Sequence, residues 1–328
     1  MAKYPFDKAA WRWVKDVALD KAPSINYCCY MVNEGRVTTS NGRFTCSHPI
    51  TDENSYMVVG KELERVFPVM DSDEGLTLSL TERQLIITRA GFRAAMPRLK
   101  YEEWTQQKPN GNWQKLPDNF IQAIRTLRPF ISDNASQAWA TGICMTPEGM
   151  FATDNVSAIK YDLVCEMEAP IIIPLWVVDF ILSREGVQDI EVDAKHIAFR
   201  WANGAWLTSC LIEGSYPDSV RQVIENAPPE EATCLVTPAF RAGVNAIIGL
   251  ADGAVRFNAE GASIGYGNTE VQAEVTCALP EGIEQTLWPP KALLNVINVA
   301  ERWAPQNWPK PAIFLGKNIK GLIVGRVK

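Results

Sequence analysis

The sequence predicts an α+β protein made of three copies of one domain, each laying two helices on one face of an antiparallel sheet. Three observations predict it. The turns Asn33-Glu34-Gly35, Pro147-Glu148-Gly149 and Ala259-Glu260-Gly261 share a signature, and their glutamates stand 114 and 112 positions apart. Phe6 and Phe120 each open a helical pattern 28 positions before the first two glutamates. Gly60-Lys61, Pro174-Leu175 and Pro290-Lys291 introduce a second helix 26, 26 and 30 positions after the glutamates.

The elements follow in order. In the first helix Trp11, Val14 and Ala18 form an apolar face that can rest on a sheet. Each Glu-Gly turn separates two strand-like runs, and its glycine supplies the positive φ that a tight hairpin needs. Proline suits the opening of the second helix, because the N–H it lacks has no partner in a first turn. Period-two strands come next: Leu76, Leu78 and Leu80 in copy one, then Ile190 with Val192 and Ile197, Phe199 and Trp201 in copy two. Asn203-Gly204, inside "WANGAW", marks a hairpin.

Copy three differs. Phe240 precedes its glutamate by only 20 positions, and the segment after its second helix has room for two strands, "AIFLG" and "IKGLIVGRVK", where the other copies have three. Pro-rich polar linkers at 106–119 and 225–233 place domain limits at 1–112, 113–228 and 229–328. The stretch "LIEGSYPDSVRQVI" (211–224) ends the last strand of copy two, since Pro217 cannot donate to a ladder. "AAMPRL" (94–99) holds the equivalent place in copy one.

Of the 328 residues, 47% are hydrophobic and 21% charged, which suits a globular protein with substantial cores. No leader and no apolar run near 18 residues is present, so the sequence reads as a soluble, cytoplasmic protein with no membrane partner. Eight cysteines form no CxxC pair, and His48 and His196 are the two histidines. That argues against a metal site and for reduced, buried thiols; no cofactor is expected. The net charge of −6 excludes a grossly basic coat but not a local basic patch.

Catalytic signals are weak. A Ser-His-Asp arrangement would have to use His48, in a polar loop, or His196, at a strand start. "GYGNTE" (265–270) lacks the third glycine and the helix of a phosphate loop. Asp154 in "ATDN" fits an Asx turn better than a catalytic acid. The reading is of a protein that is not an enzyme. Helix faces are more informative. Lys8, Arg12 and Lys15 form a stripe at i, i+4 and i+7. Lys61 pairs with Arg65, Arg125 with Arg128, and Lys291 and Arg302 border one polar stripe, while Arg241 opens the first helix of copy three. One such face is ordinary solvation; the same choice in several equivalent helices points to a shared positive surface. The apolar helix from Leu175 to Arg184 does not contribute to it.

The repeats, with "FATDNVSAIKYDL" (151–163) and "LIEGSYPDSVRQV" (211–223), resemble the bacterial DNA sliding clamp, the beta subunit of DNA polymerase III. The resemblance covers essentially the whole chain. It rests on Thr153-Asp154-Asn155, Tyr216-Pro217-Asp218, the spacing from "PEG" to "ATD", and the Ala239-Phe240 opening. It implies a homodimer closed head to tail into a ring of six domains. Such a ring would encircle double-stranded DNA without sequence specificity and tether a replicative polymerase. The cations above would touch phosphates. Short apolar peptides of the DNA polymerase and clamp loader would dock in a groove. Its matching positions are Thr153, Asn155, Val156, Ser157, Ala158, Pro217, Arg221, Ile323 and Val324. The chain departs from the family at Val156-Ser157, where His-Arg is common, and at its terminal "VGRVK". Two rivals remain. One is a non-ring DNA-binding or scaffold protein, monomeric because copy three is short; the other is a small-molecule enzyme resting on "GYGNTE".

Overall fold

Short strands closed by tight turns, rather than long helices, carry this chain. A computed structural model describes residues 3–69, 75–102, 107–133, 136–226, 233–250, 254–258, 261–264, 273–276, 287–304 and 311–325. The first run of elements is β1 (Lys3–Pro5), α1 (Lys8–Trp13), β2 (Cys29–Asn33), β3 (Arg36–Ser40), β4 (Phe44–Pro49), β5 (Tyr56–Val59), α2 (Gly60–Glu64), β6 (Thr77–Leu80), β7 (Gln84–Arg89) and β8 (Phe92–Lys100). The second is β9 (Gln114–Lys115), α3 (Phe120–Leu127), β10 (Gly142–Thr146), β11 (Gly149–Thr153), β12 (Ser157–Tyr161), β13 (Ile171–Pro174), α4 (Leu175–Leu182), β14 (Val187–Val192), β15 (His196–Trp201) and β16 (Trp206–Cys210), followed by α5 (Asp218–Glu225). The third is β17 (Cys234–Leu235), α6 (Pro238–Ile248), β18 (Val255–Asn258), β19 (Gly261–Ile264), β20 (Ala273–Thr276), β21 (Leu287–Trp288), α7 (Pro290–Val299), β22 (Arg302–Ala304), β23 (Ala312–Gly316) and β24 (Ile319–Ile323).

Each run therefore reads short strand, helix, four strands, helix, three strands. This corrects the expectation that copy three is short of a strand. Arg302–Ala304 pairs with Ala312–Gly316 as a third strand, directly after α7. A three-residue strand so close to a helix end shows no alternation long enough to register as a pattern.

The chain divides into two compact units that do not coincide with the runs: Met1–Leu116 with Arg184–Leu211, and Pro117–Ser183 with Ile212–Lys328. The first unit carries a twelve-stranded antiparallel sheet in the order β1-β6-β7-β8-β5-β2-β3-β4-β16-β15-β14-β9. Its seam between runs is β4 with β16, where Leu207 faces Cys46 and Thr208 faces Thr45. Trp11 stacks on Tyr30 at 5.6 Å and tilts against Phe6 at 5.4 Å, and all three are buried. Such aromatic contacts add to the burial of apolar area that holds the layer together.

The second unit holds an eight-stranded sheet, β13-β10-β11-β12-β24-β23-β22-β17, and a four-stranded one, β20-β19-β18-β21. Its seam is β12 with β24, in register from Ser157↔Ile323 to Tyr161↔Ile319. A core of Cys144, Phe151, Ala158, Ile172, Tyr216, Ile224, Ala304, Ile313 and Leu322 fills the seam's α5 side.

The first hairpin turn has Glu34 at φ 52° and Gly35 at φ 68°, the pair of positive φ values of a type I′ turn. Glu260 of the third turn lies outside the described residues, although Asn258↔Gly261 closes that hairpin. The first helix is shorter than its pattern: α1 stops at Trp13 and a single 3₁₀ turn spans Lys15–Val17. In β14 Ile190 is buried but Val192 is 38% exposed, and the acidic residue between them is buried instead.

Candidate partner groove and cationic surface

The groove positions come together inside the second unit. Thr153 ends β11, and its Oγ1 donates to the Ser157 carbonyl at 2.7 Å. Asp154 makes the Asx turn: its Oδ1 accepts the N–H groups of Val156 at 3.0 Å and Ser157 at 2.6 Å, and the Ser157 hydroxyl at 3.0 Å. Asn155 then takes φ 68°, the left-handed conformation that asparagine tolerates better than most residues. Ser157 and Ala158 are buried in β12, whereas Val156 is half-buried at the turn. The Val156 carbonyl accepts the Val324 N–H at 2.9 Å, so the chain just beyond β24 is stitched to this turn. Ile323 is fully buried and Val324 is 39% exposed.

The third side comes from "SYPDSVRQVI". The expectation that Tyr216-Pro217-Asp218 ends a strand is corrected, because β16 stops at Cys210. Pro217 instead stands at the N-cap of α5, whose Val220 N–H reaches the Pro217 carbonyl at 3.1 Å. Tyr216 is buried between Trp139, at 5.5 Å edge-on, and Phe151, at 5.9 Å. Helix α5 lies against β12 and β24. Val220 joins the core, while Val223 is 41% exposed.

Charge at these positions is held close to a buried aromatic ring. Arg221 and Lys160 lie over the ring of buried Phe151, at 5.8 and 5.7 Å. Arg221 is 3.9 Å from Asp218, and Lys160 is 3.4 Å from Asp162 and 3.9 Å from Glu225. The Arg221 Nε and the Tyr216 hydroxyl are buried without a hydrogen-bond partner among the described residues. Burial raises the Tyr216 phenol, with a smaller contribution from Cys144. Burial likewise pushes the Cys144 thiol up to about 12, against the opposing charge of Arg221. The thiol is therefore neutral and packs as an apolar group. Phe151, Lys160, Val220 and Val223 were missed by sequence reasoning. Phe151 and Lys160 sit in strands whose alternation reads as ordinary sheet, and α5 has a clear apolar stripe but no indication of what it covers.

The cations separate into two classes. Lys8 is corrected: it is 3% exposed, not part of a solvated stripe. It lies one turn before Trp11, on the face that α1 buries, and the stripe assumed a helix reaching Ala18. Lys15 is half-buried in the 3₁₀ turn. Arg241 donates to the carbonyls of Ile297 and Ala300 and so caps the end of α7. Arg302 donates to Thr233 Oγ1 at 2.7 Å and to its carbonyl at 2.9 Å. Arg128 grips Asp179 through Nε at 2.6 Å and Nη2 at 3.2 Å. The exposed class is Arg12, Lys61, Arg65, Arg125 and Lys291. Within it, Arg65 pairs with Glu62 at 3.4 Å and Lys291 with Asp133 at 3.2 Å, weak links for exposed groups.

Among the described residues no group of three or more His, Cys, Asp or Glu is placed to hold a metal ion. None of their helices is long and apolar enough to cross a membrane. "GYGNTE" lies outside the described residues. No family model matches the chain, and no curated protein does. Solved structures do match. The Helicobacter pylori beta clamp bound to a DNA ligase peptide is 14% identical, with a TM-score of 0.80 and full coverage of both chains. Caulobacter crescentus pol III beta is 16% identical, with a TM-score of 0.79 and full coverage of both. The beta subunit from the DNA polymerase of Streptococcus pyogenes is 13% identical at a TM-score of 0.76, covering 98% of this chain and 97% of that one. The chain has the sliding-clamp fold. Within this clamp fold, the end of β24 is bonded to the turn at Asn155, and α5 packs on β12 and β24.

Proposed function

We propose that this clamp-fold chain is a DNA sliding clamp, a processivity factor rather than an enzyme. The observation that carries the reading is the match to beta clamps over the whole chain at TM-scores of 0.76–0.80. In this reading three clamp domains, 1–112, 113–228 and 229–328, make up each copy. Two copies join head to tail in the cytoplasm and enclose duplex DNA. The three strands after α7 remove the reason to expect a truncated last domain, and so favour a closing ring over a non-ring scaffold.

Function then follows from topology. Arg12, Lys61, Arg65, Arg125 and Lys291 contact phosphates and displace counterions without reading bases. The net charge of −6 limits immobile adhesion, and closure keeps a bound polymerase near its template through effective concentration. Short apolar peptides of a polymerase and a clamp loader dock across Val156, Val223 and Val324, with Arg221 and Lys160 beside them. Affinity is modest, because a short peptide buries little area and loses chain entropy. Light scattering on the purified chain tests assembly: a dimer mass is expected, and a monomer at all concentrations would return the scaffold reading.

A further inference from the structure

Asn-Gly pairs lose the asparagine amide spontaneously more readily than other pairs, because glycine lets the next backbone nitrogen swing onto the side-chain carbonyl carbon. The sequence holds three: Asn41-Gly42, Asn110-Gly111 and Asn203-Gly204. Two are locked. Asn41 Oδ1 accepts the N–H of Arg43 at 2.9 Å and of Phe44 at 3.0 Å, and the Gly42 N–H donates to Ser40 Oγ at 3.3 Å. Asn203 Oδ1 accepts the Ala205 N–H at 3.0 Å, its amide lies 3.0 Å from His48 Nε2, and the Gly204 N–H donates to the Trp201 carbonyl at 3.0 Å. Both side chains are committed to Asx turns, and both attacking nitrogens face neutral oxygens that cannot take a proton.

Asn110-Gly111 differs on both counts. Asn110 is exposed, and its side chain makes no hydrogen bond among the described residues. The Gly111 N–H donates to Glu191 Oε2 at 2.7 Å, and the Asn110 N–H to Oε1 at 2.6 Å. Glu191 is 6% exposed, so this carboxylate is held in place. Gly111 has φ +99° with no atom within 4 Å of a would-be Cβ, so no neighbour crowds that side of the dipeptide.

We infer that Asn110-Gly111 is a self-modification site served by Glu191. The Gly111 nitrogen bonds to Asn110 Cγ while Glu191 accepts the amide proton. The Cγ–Nδ2 bond breaks and ammonia leaves with that proton. The resulting succinimide takes up water and opens to aspartate or isoaspartate at position 110. The site lies in a strap that crosses the sheet of the first unit. Thr208 Oγ1 donates to the Gln107 carbonyl at 2.8 Å, and the Arg200 guanidinium lies over Trp113 at 4.7 Å. Beyond them, Lys115 pairs with Asp189 at 2.8 Å. Either product sets a second carboxylate beside Glu191, and isoaspartate also inserts a methylene between the two N–H donors. Glu191 then loses both bonds, and the strap lifts over 107–111 while β9 stays paired.

The test is to age the purified full-length protein at mildly alkaline pH and map its peptides by mass spectrometry. Conversion at position 110 is expected to run at least about tenfold faster than at 41 or 203. Glu191→Gln should slow it severalfold and leave the other two sites unchanged. Equal rates at the three sites, or conversion in Glu191→Gln as fast as in the wild type or faster, would overturn the inference. The ranking of the sites needs only the wild-type chain, so it stands as a test should that variant fold poorly. Aged wild-type protein should also be cut more readily within 107–111, whereas aged Asn110→Gln should not. Unchanged cutting of fully converted protein would refute release of the strap.

Discussion

The two seams at which one run's sheet continues into the next are built from different chemistry. The β4–β16 seam in the first unit is polar and directional. Arg36 donates to Ser47 Oγ at 2.8 Å and to the Gly204 carbonyl at 2.9 Å, and Arg184 donates twice to the Trp13 carbonyl, at 3.0 and 2.7 Å. Arg184 also lies over the Trp13 ring at 5.4 Å, and Trp13 meets Trp201 edge-on at 5.0 Å. The β12–β24 seam in the second unit is apolar and close. Phe130 stacks on Phe314 at 6.1 Å, and Gly321 lets the Phe314 ring and the Ala158 carbonyl approach the backbone.

One kind of sheet-to-sheet connection thus serves two ends. Guanidinium forks fix register through geometry, because one planar group reaches acceptors on both sides of the seam. Apolar packing fixes the strands by shape and leaves valine side chains over at the margin, at 156, 223 and 324. Under the proposed function the second seam is the one that takes a partner.

The comparison breaks most readily at Gly321. A Cβ there would stand 2.6 Å from the Ala158 carbonyl and inside the Phe314 ring, so Gly321→Ala should cost about 3 kcal/mol or more in urea unfolding. The polar seam should fail next. Arg184 is 10% exposed, and burial depresses its guanidinium pKa despite the nearby Asp16. Arg184→Ala should cost about 2–4 kcal/mol, with Arg184→Lys recovering only part, because an ammonium cannot reproduce the fork. If Arg184→Ala instead costs under about 0.5 kcal/mol, the seam does not depend on directional bonds.

Smaller changes sharpen the contrast. Val324→Asp and Val223→Asp should each alter stability by less than about 0.5 kcal/mol, since both side chains are partly exposed. Each should nonetheless weaken binding of a polymerase-derived peptide with a Leu or Phe pair about tenfold or more in calorimetry. Asn155→Gly is the mildest: at φ 68° glycine removes residual strain, and a gain of up to about 0.5 kcal/mol is expected in thermal melts. A loss of stability there would mean that the asparagine side chain holds the turn.

Much of this was legible in the sequence. The repeat was visible because Glu-Gly turns and Gly or Pro helix openings are local, fixed by φ and by a missing N–H. The Asx turn at Asp154 was readable for the same reason. What could not be read was non-local. Lys8 looked solvated because helical arithmetic does not reveal that α1 ends at Trp13, or which side of it meets the sheet. Arg241 and Arg302 looked available because their carbonyl partners lie tens of positions away along the chain. Val192 and Glu191 exchanged their expected places because a strap from another part of the chain covers the acidic side. β22 was too short to leave a pattern.

In the proposed function this chain holds DNA by enclosing it. The most direct measurement is the lifetime of the loaded protein on a nicked circular duplex, before and after a single cut makes the circle linear. Closure predicts slow release from the circle, rapid loss from free ends after cutting, and recovery of the long lifetime when the ends are blocked. Equal lifetimes on circular and linear DNA would contradict enclosure and leave charge-driven binding as the account.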